Sequence, residues 1–381
     1  LQCFFKHRRG LSMTLCIGLM SGTSADGMDA CLVEITPDKV TMVDALCIDY
    51  PDEVSDFFKA LAISETLSAE LIMDADRLIA QYGVQAVVTL LEKNALSAAD
   101  ITAVGSHGHT LRHRPQPDGF SWQIGDPSWL AEYTGITCVA DFRRRDIAAG
   151  GEGAPLVPAF HQVAMQAHQP CGVLNIGGIA NLTLVNPDPN KTLGFDTGPG
   201  NALMDEYCKA MTGCSCDAEG SSAARGVVIS DLLEEWLQHP YFSEEPPKST
   251  GRELFNLKQL QIPEQYPADN VLATLAELTA TSISSAIKRY APELQDLYVC
   301  GGGLKNSHLM NRIRANLPQM NIQSTEAVGV HPDWMEAIAF AWLGWRTLNH
   351  LSGNLPAVTG AQGERILGGI YPAGAGENNQ K

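Results

Sequence analysis

The chain has no apolar run approaching the roughly 18–20 residues that a membrane span needs. It is also short of positive charge, with 26 Lys and Arg against 43 Asp and Glu and a net charge of −17. The first lack argues against a spanning helix. The second argues against nucleic acid and anionic membrane surfaces, where cationic patches supply most of the affinity. It does not argue against a nucleotide, whose phosphates are met by local backbone N–H groups and a divalent cation. GxxxxGK[ST] and GxGxxG are both missing, so neither the P-loop nor the dinucleotide fingerprint is there. A disulfide framework is missing too. The 10 cysteines fall mostly in apolar contexts such as Cys16, Cys31, Cys138 and Cys300, the core usage of a reducing compartment, and a cytoplasmic protein is expected. Cys208, Cys214 and Cys216 lie close together in a spacing that matches no common zinc pattern.

What remains is a globular composition, 45% hydrophobic and 18% charged, in 381 residues, which is enough for two domains. Residues 1–12 carry Lys6, His7, Arg8 and Arg9, and the apolar stretch after them is soon interrupted by Gly18, Ser21 and Gly22. That is no secretory signal. The fold is expected to begin at Met13, with 1–12 an extension.

Leu15 to Met20 reads as a buried strand and Met28 to Ile35 as its antiparallel partner, joined by the turn residues 21–27. Helical stretches follow near Asp52–Ala62, Glu65–Tyr82 and Val84–Leu96. Strand-like segments come next at Ile101–Gly105, Phe120–Ile124 and Ile136–Ala140. Alternating strands and helices indicate an α/β layered architecture. A second strand–glycine turn–strand unit at Cys171–Val185 echoes the first about 155 residues later, which suggests an internal duplication with a ligand cleft between the halves. A third glycine turn follows the strand Leu297–Cys300 and precedes a helix capped near Asn306; the helix Asp333–Leu348 comes next. The expected domains are 13–157 and 158–354, with 355–372 returning to the first.

Three glycine turns at strand ends suit the close approach of backbone N–H groups to phosphate oxygens. The densest is Gly22-Thr23-Ser24-Ala25-Asp26-Gly27-Met28-Asp29, whose amides and hydroxyls would hold phosphates while Asp26 or Asp29 positions hydrated Mg²⁺. The same octapeptide also reads as a hairpin loop organised by its aspartates. Its pairing with Gly177-Gly178 and then Gly301-Gly302-Gly303 favours the phosphate reading.

Asp196, before the Gly198-Pro199-Gly200 turn and Asn201 as helix N-cap, could serve as a general base or simply organise the turn. In Asp141-Phe142-Arg143-Arg144-Arg145-Asp146, an arginine could grip a substrate carboxylate or lie on the surface. His107 and His109 lack an evident third metal ligand, and polar contact to a sugar fits them better. Glu336 closes a capping box with Asp333 or faces substrate.

Taken together, residues 17–29, 105–110, 140–146, 175–181, 194–201 and 299–303 closely resemble the anhydro-N-acetylmuramic acid kinases of the actin, hexokinase and sugar-kinase superfamily, from about Leu15 to Pro372. The resemblance implies a two-domain duplicated ribonuclease H-like fold with ATP in the inter-domain cleft. It makes 22–29 the ATP phosphate loop, joined by Gly177, Gly178, Asn181, Gly198 and Gly301 to Gly303. Asp196 becomes the catalytic base, with Arg143, Asp146, His107 and Glu336 on the side of the substrate, 1,6-anhydro-N-acetylmuramic acid. ATP and Mg²⁺ are the implied cofactors, no nucleic acid or membrane is expected, and a homodimer is left open. His109 and Glu152 stand where the family usually has glutamine. The implied reaction opens the anhydro bridge with water and phosphorylates O6 in cell-wall recycling. An actin-like or chaperone-like ATPase and an ordinary hydroxyl-phosphorylating sugar kinase are the alternatives.

Overall fold

The computed structural model describes residues 13–37, 39–64, 66–114, 119–251 and 254–374, so the expected extension at 1–12 lies outside the described residues. The chain divides into two compact units. One takes the chain up to Ala164 and again from Trp334; the other is Met165–Asp333.

The first unit opens with β1 (Thr14–Ser21), β2 (Gly27–Ile35) and β3 (Val40–Asp49), an antiparallel meander. β1 and β2 are buried along most of their length, as near-continuous apolar strands are when a sheet is covered on both faces. α1 (Asp52–Ile63) follows, then α2 (Ala69–Lys93), whose Ser68 cap accepts from the Leu71 amide at 3.1 Å. The sequence predicts a break in this helix at Gly83. α2 runs straight through, because the glycine serves close packing: a Cβ there would lie 2.8 Å from Leu130 Cδ2. β4 (Ile101–Arg114) is parallel to β1 and continues well past Gly105, so the His107–His109 segment lies within a strand rather than after one. β5 (Phe120–Ile124), α3 (Pro127–Thr134), β6 (Cys138–Ala140), α4 (Phe142–Ala148) and α5 (Val157–Ala164) complete this stretch.

The second unit repeats the plan. β7 (Cys171–Ile176), β8 (Ile179–Val185) and β9 (Leu193–Pro199) form an antiparallel meander. Then come α6 (Ala202–Thr212), α7 (Ser221–Arg225), α8 (Ser230–Leu237), α9 (Leu257–Leu260) and α10 (Ala268–Tyr290). β10 (Asp296–Cys300), α11 (Ser307–Asn316) and β11 (Asn321–Ser324) follow, with β10 parallel to both β7 and β11. α10 supplies much of this core, with Val271, Leu275, Leu278 and Ile283 at 0–1% exposure.

α12 (Met335–Leu348), α13 (Pro356–Thr359) and β12 (Gly369–Tyr371) belong to the first unit, and β12 pairs antiparallel with β6. The expected second domain, 158–354, includes these α12 residues. The helix packs instead on β1, β2 and β4, where two glycines admit it. A Cβ on Gly18 would stand 1.8 Å from the Ala337 carbonyl oxygen, and one on Gly105 2.0 Å from that of Phe340.

The sheet orders settle the architecture. The first reads β3-β2-β1-β4-β6, with β12 beyond β6 and β5 alongside β4; the second reads β9-β8-β7-β10-β11. Both have an antiparallel meander followed by two parallel strands. That is a ribonuclease H-like sheet order occurring twice. No helix among the described residues is long and apolar enough to cross a membrane.

Candidate functional site

The β1–β2 turn of the first unit takes its left-handed residue from Ala25 (φ +53) rather than from a glycine, and the Ala25 amide closes the turn on the Gly22 carbonyl at 3.0 Å. Thr23, Ser24 and Asp26 are exposed, with Ser24 Oγ donating to Asp26 at 2.8 Å. The amides of Thr23 and Ser24 have no acceptor among the described residues. Free donors, hydroxyls and an exposed carboxylate at a strand end are the complement of a phosphate and its divalent counter-ion. Not all of the octapeptide shares in this. Met28 is 1% exposed and its side chain belongs to the core. Gly27 is buried beneath Cys47, whose sulfur would lie 2.5 Å from an added Cβ. Asp29 is half-buried in β2, opposite Cys47.

Behind the turn, Tyr50 donates to Ser21 Oγ at 3.0 Å, and Ser21 Oγ lies 3.0 Å from His109 Nδ1. Burial pushes His109 down to about 4, so its ring is neutral and Nδ1 can accept from Ser21. No group of three or more His, Cys, Asp or Glu side chains that could hold a metal occurs among the described residues.

The arginine segment resolves into three different fates. Asp141 starts α4 in the left-handed region (φ +61) and pairs with the exposed Arg144 at 2.5 Å. Arg145 is exposed, whereas Arg143 is half-buried. Arg143 donates through Nε and Nη2 to His107 Nε2, at 3.1 and 2.9 Å, and through Nη1 to the Gly153 carbonyl at 2.9 Å. His107 is buried, with Nδ1 3.0 Å from the Gly108 carbonyl and its ring 4.6 Å from that of Phe340. Desolvation, and then the neighbouring guanidinium, hold its pKa well below the usual histidine range. A cavity of about 160 Å³ opens beside it, lined also by Asp76, Trp122, Gln123, Arg144 and Tyr371.

Glu336, in the first turn of α12, is half-buried; burial raises its carboxyl while Arg143 pulls the other way. The two groups feel each other's charge, with no ion pair between them among the described residues. The capping-box reading of Glu336 is not realised. Trp334 precedes the helix with no side-chain cap, and Asp333 pairs with Lys305 at 2.9 Å.

Asp146, expected on the substrate side, is 0% exposed. Its carboxylate accepts from the Gly153 amide (2.9 Å), Asn354 Nδ2 (2.7 Å) and Thr359 Oγ1 (2.8 Å). It ties α4 to the C-terminal segment and has no face for a ligand. Glu152 is half-buried, its carboxyl raised by burial and then by Asp146.

In the second unit, Asn175, Asn181 and Asp196 stand in register across β7, β8 and β9, a half-buried polar row on an otherwise apolar sheet. Asp196 lies inside β9 rather than at its end. A segment running alongside grips it: its amide donates to the Lys248 carbonyl at 3.1 Å, and the Thr250 amide donates to Oδ2 at 2.9 Å. Tyr241 Oη donates to the Asp196 carbonyl at 2.8 Å, and Lys248 Nζ lies 4.5 Å above the Tyr241 ring. Sequence reasoning missed Asn175, Tyr241, Lys248 and Thr250. Only Asn175, a polar residue in an apolar strand, carried a signal.

The glycine turns of this unit serve packing more than expected. The Gly177 and Gly178 carbonyls accept the first amides of α6, from Asn201 at 2.8 Å and from Ala202 at 3.1 Å, and neither glycine is left-handed. Asn201 does not cap with its side chain, which donates instead to the Ile176 carbonyl at 3.2 Å. Gly198 is buried against Phe242, 2.7 Å from an added Cβ. Gly301 (φ +82) donates to the Pro332 carbonyl at 3.1 Å, and Gly303 is buried against Ile176. Gly302 is exposed.

A family model described as anhydro-N-acetylmuramic acid kinase matches residues 14–373. The protein of that name from Thiobacillus denitrificans is 48% identical over 365 residues, which cover 94% of this chain and 97% of the relative. The one from Xanthomonas oryzae pv. oryzae is 46% identical over 368 residues, with the same two coverages of 94% and 97%. Among solved structures, the activator of the 2-hydroxyisocaproyl-CoA dehydratase from Clostridium difficile, with bound ADPNP, aligns over 88% of this chain and 96% of its own, at TM-score 0.46 and 13% identity. With the family model spanning nearly every described residue and relatives near half-identical along their whole length, the chain is a kinase that belongs to the anhydro-N-acetylmuramic acid kinase family.

Proposed function

We propose that the enzyme uses ATP to convert 1,6-anhydro-N-acetylmuramic acid into N-acetylmuramate 6-phosphate, in cytoplasmic peptidoglycan recycling and amino-sugar catabolism. The observation that carries this reading is the restraint of Asp196, whose carboxylate is fixed by the Thr250 amide at 2.9 Å while its own backbone is held by Lys248 and Tyr241. A carboxylate so fixed is a positioned general base.

Water attacks C1 and gives its proton to Asp196. The C1–O6 bond breaks with its electron pair on O6, which bonds to the γ-phosphorus as the bond from that phosphorus to ADP breaks. Asp196 then releases the proton to solvent. Because phosphorus captures O6, no acid has to protonate it, and one base suffices where inverting glycoside hydrolysis needs two carboxylates.

The exposed part of the 22–29 loop, Gly177, Gly178, Asn181 and Gly302 would meet the phosphates. Mg²⁺ would rest on phosphate oxygens with Asp26 or Asp29 and offset the charge of the transferring group. Arg143 and Glu336 would contact the sugar, with Arg143 on the lactyl carboxylate.

A coupled assay of ADP formation, with product analysis by mass spectrometry, tests the reading. ADP should appear only with the anhydro sugar, and the product should be heavier by one water and one phosphoryl group. ADP formation without sugar would make the protein an ATPase. Turnover only of already opened sugars would make it an ordinary sugar kinase.

A further inference from the structure

We infer that His107 is a positioning residue that aims Arg143 as a fork for the substrate's carboxylate, and so sets the preference for an acidic over a neutral anhydro sugar. The inference rests on the assignment above of Arg143 to sugar binding.

A guanidinium has five N–H donors. Three are accounted for: Nε–H and one N–H of Nη2 converge on His107 Nε2, and one N–H of Nη1 goes to the Gly153 carbonyl. The other two, one on each terminal nitrogen, have no partner among the described residues. A pair of N–H groups on adjacent nitrogens matches the two oxygens of a carboxylate.

The partner that fixes the guanidinium is neutral. A carboxylate at position 107 would align Arg143 equally well but would neutralise it inside the protein. An imidazole lone pair aligns it and leaves its full charge for a ligand. His107 is built for that role. Nδ1–H donates to the Gly108 carbonyl, which leaves Nε2 as the acceptor. The carbonyl is presented by a left-handed residue (φ +72) that only glycine fits, since a Cβ there would stand 2.2 Å from the Ile124 carbonyl oxygen. Phe340 packs on the ring at 4.6 Å, and 4% exposure opposes protonation. The nearby acids make no hydrogen bond or ion pair with the fork among the described residues: Asp146 is occupied by three other donors, and Glu336 acts on Arg143 only through its charge.

The test compares His107→Leu, His107→Gln, Arg143→Ala and the Leu/Ala double variant, with 1,6-anhydro-N-acetylmuramic acid and with 1,6-anhydro-N-acetylglucosamine, which lacks the lactyl acid, as substrate or competitive inhibitor. His107→Leu should raise KM for the acidic sugar roughly tenfold, the size of an ordinary coupling between contacting residues. The KM for ATP and the affinity for the neutral sugar should hold. His107→Gln, whose side-chain oxygen can accept from Arg143, should recover most of the loss. In the Arg143→Ala background, His107→Leu should add nothing. An equal loss on both sugars, or a further loss in that background, would overturn the inference and make His107 a core residue. A raised KM in Arg143→Ala but not in His107→Leu would overturn this inference alone. An unchanged KM in Arg143→Ala would remove the sugar assignment of Arg143 and the inference with it. Should His107→Leu not fold, His107→Met, of similar volume and equally without an acceptor, takes its place with the same outcomes.

Discussion

The Thr250 amide donates to Asp196 Oδ2 at 2.9 Å while the Asp196 amide donates to the Lys248 carbonyl at 3.1 Å, so a single short segment holds both the side chain and the backbone of one carboxylate residue. With Tyr241 on the Asp196 carbonyl at 2.8 Å, the rotamer and the strand edge are set together. Asp196→Asn should keep this geometry and lose the base. Turnover should fall by roughly 10²–10⁴-fold, the usual contribution of a positioned base, with little change in KM for ATP. Near-normal steady-state turnover would take the base role away from Asp196.

The fate of oxygen separates the proposed chemistry from its neighbours. Turnover in ¹⁸O-water should label the anomeric hydroxyl, and the phosphate ester should stay unlabelled because its bridging oxygen is the former bridge O6. Product sampled before mutarotation should be inverted at C1, as direct displacement requires. Label in the phosphate would mean that water attacked ATP. Retention at C1 would mean a covalent glycosyl–enzyme intermediate.

Asp146→Ala should damage the fold and spare the chemistry. It strips an acceptor from three buried donors, the Gly153 amide, Asn354 and Thr359. Each unsatisfied donor costs about 1–3 kcal/mol, and incomplete additivity brings the sum to about 3–5 kcal/mol. Urea unfolding should show that loss, while KM for ATP stays near that of the unaltered enzyme. A large change in KM for the sugar without a stability change would return Asp146 to the substrate side.

Acid should weaken the fold through its buried histidines. Burial holds His109 at about 4 in the folded protein against an ordinary value of 6.5. The unfolded chain therefore takes up the proton first. The stability that neutral His109 contributes is fully present above pH 6.5 and is lost as the pH falls towards about 4, by about 3 kcal/mol across that window. His113, held at about 4, and His161, at about 3, act in the same direction. His109→Gln should flatten the fall in unfolding free energy between pH 7 and 4.5 by about that amount. An unchanged slope would show that His109 does not titrate on unfolding in this range.

The sheet framework was legible because it rests on local signals. Buried strands ending in glycine-rich turns mark both meanders, and their repetition shows the duplication. Gly83 misled because a glycine admitting Leu130 looks, in sequence, like one that ends a helix. Long-range pairings stayed hidden. Asp146 meets Asn354 and Thr359 more than two hundred residues away, and nothing in the 140–146 motif separates a carboxylate facing ligand from one tying down a loop. Position 143 could not be told from 144 or 145 by composition. The left-handed turn at Asp141, which goes with an exposed Arg144 and a half-buried Arg143, is a backbone fact. The segment around Lys248 and Thr250 acts mainly through its amides and carbonyls, which every residue type possesses.

Glu336 immediately precedes Ala337, whose carbonyl is the atom nearest to a Cβ imagined on Gly18. The elevation of α12 over its sheet is thus indexed by main chain against main chain, at Gly18 and again at Gly105, and not by the apolar side chains between them. Side chains yield to substitution by changing rotamer, whereas touching backbones have nothing to yield with. Mutational drift among the apolar residues of α12 can therefore make the unit more or less stable while the Glu336 carboxylate keeps its height beside Arg143. An evolutionary route that retunes that height has to pass through position 18 or 105, where any new side chain must first lift the whole helix.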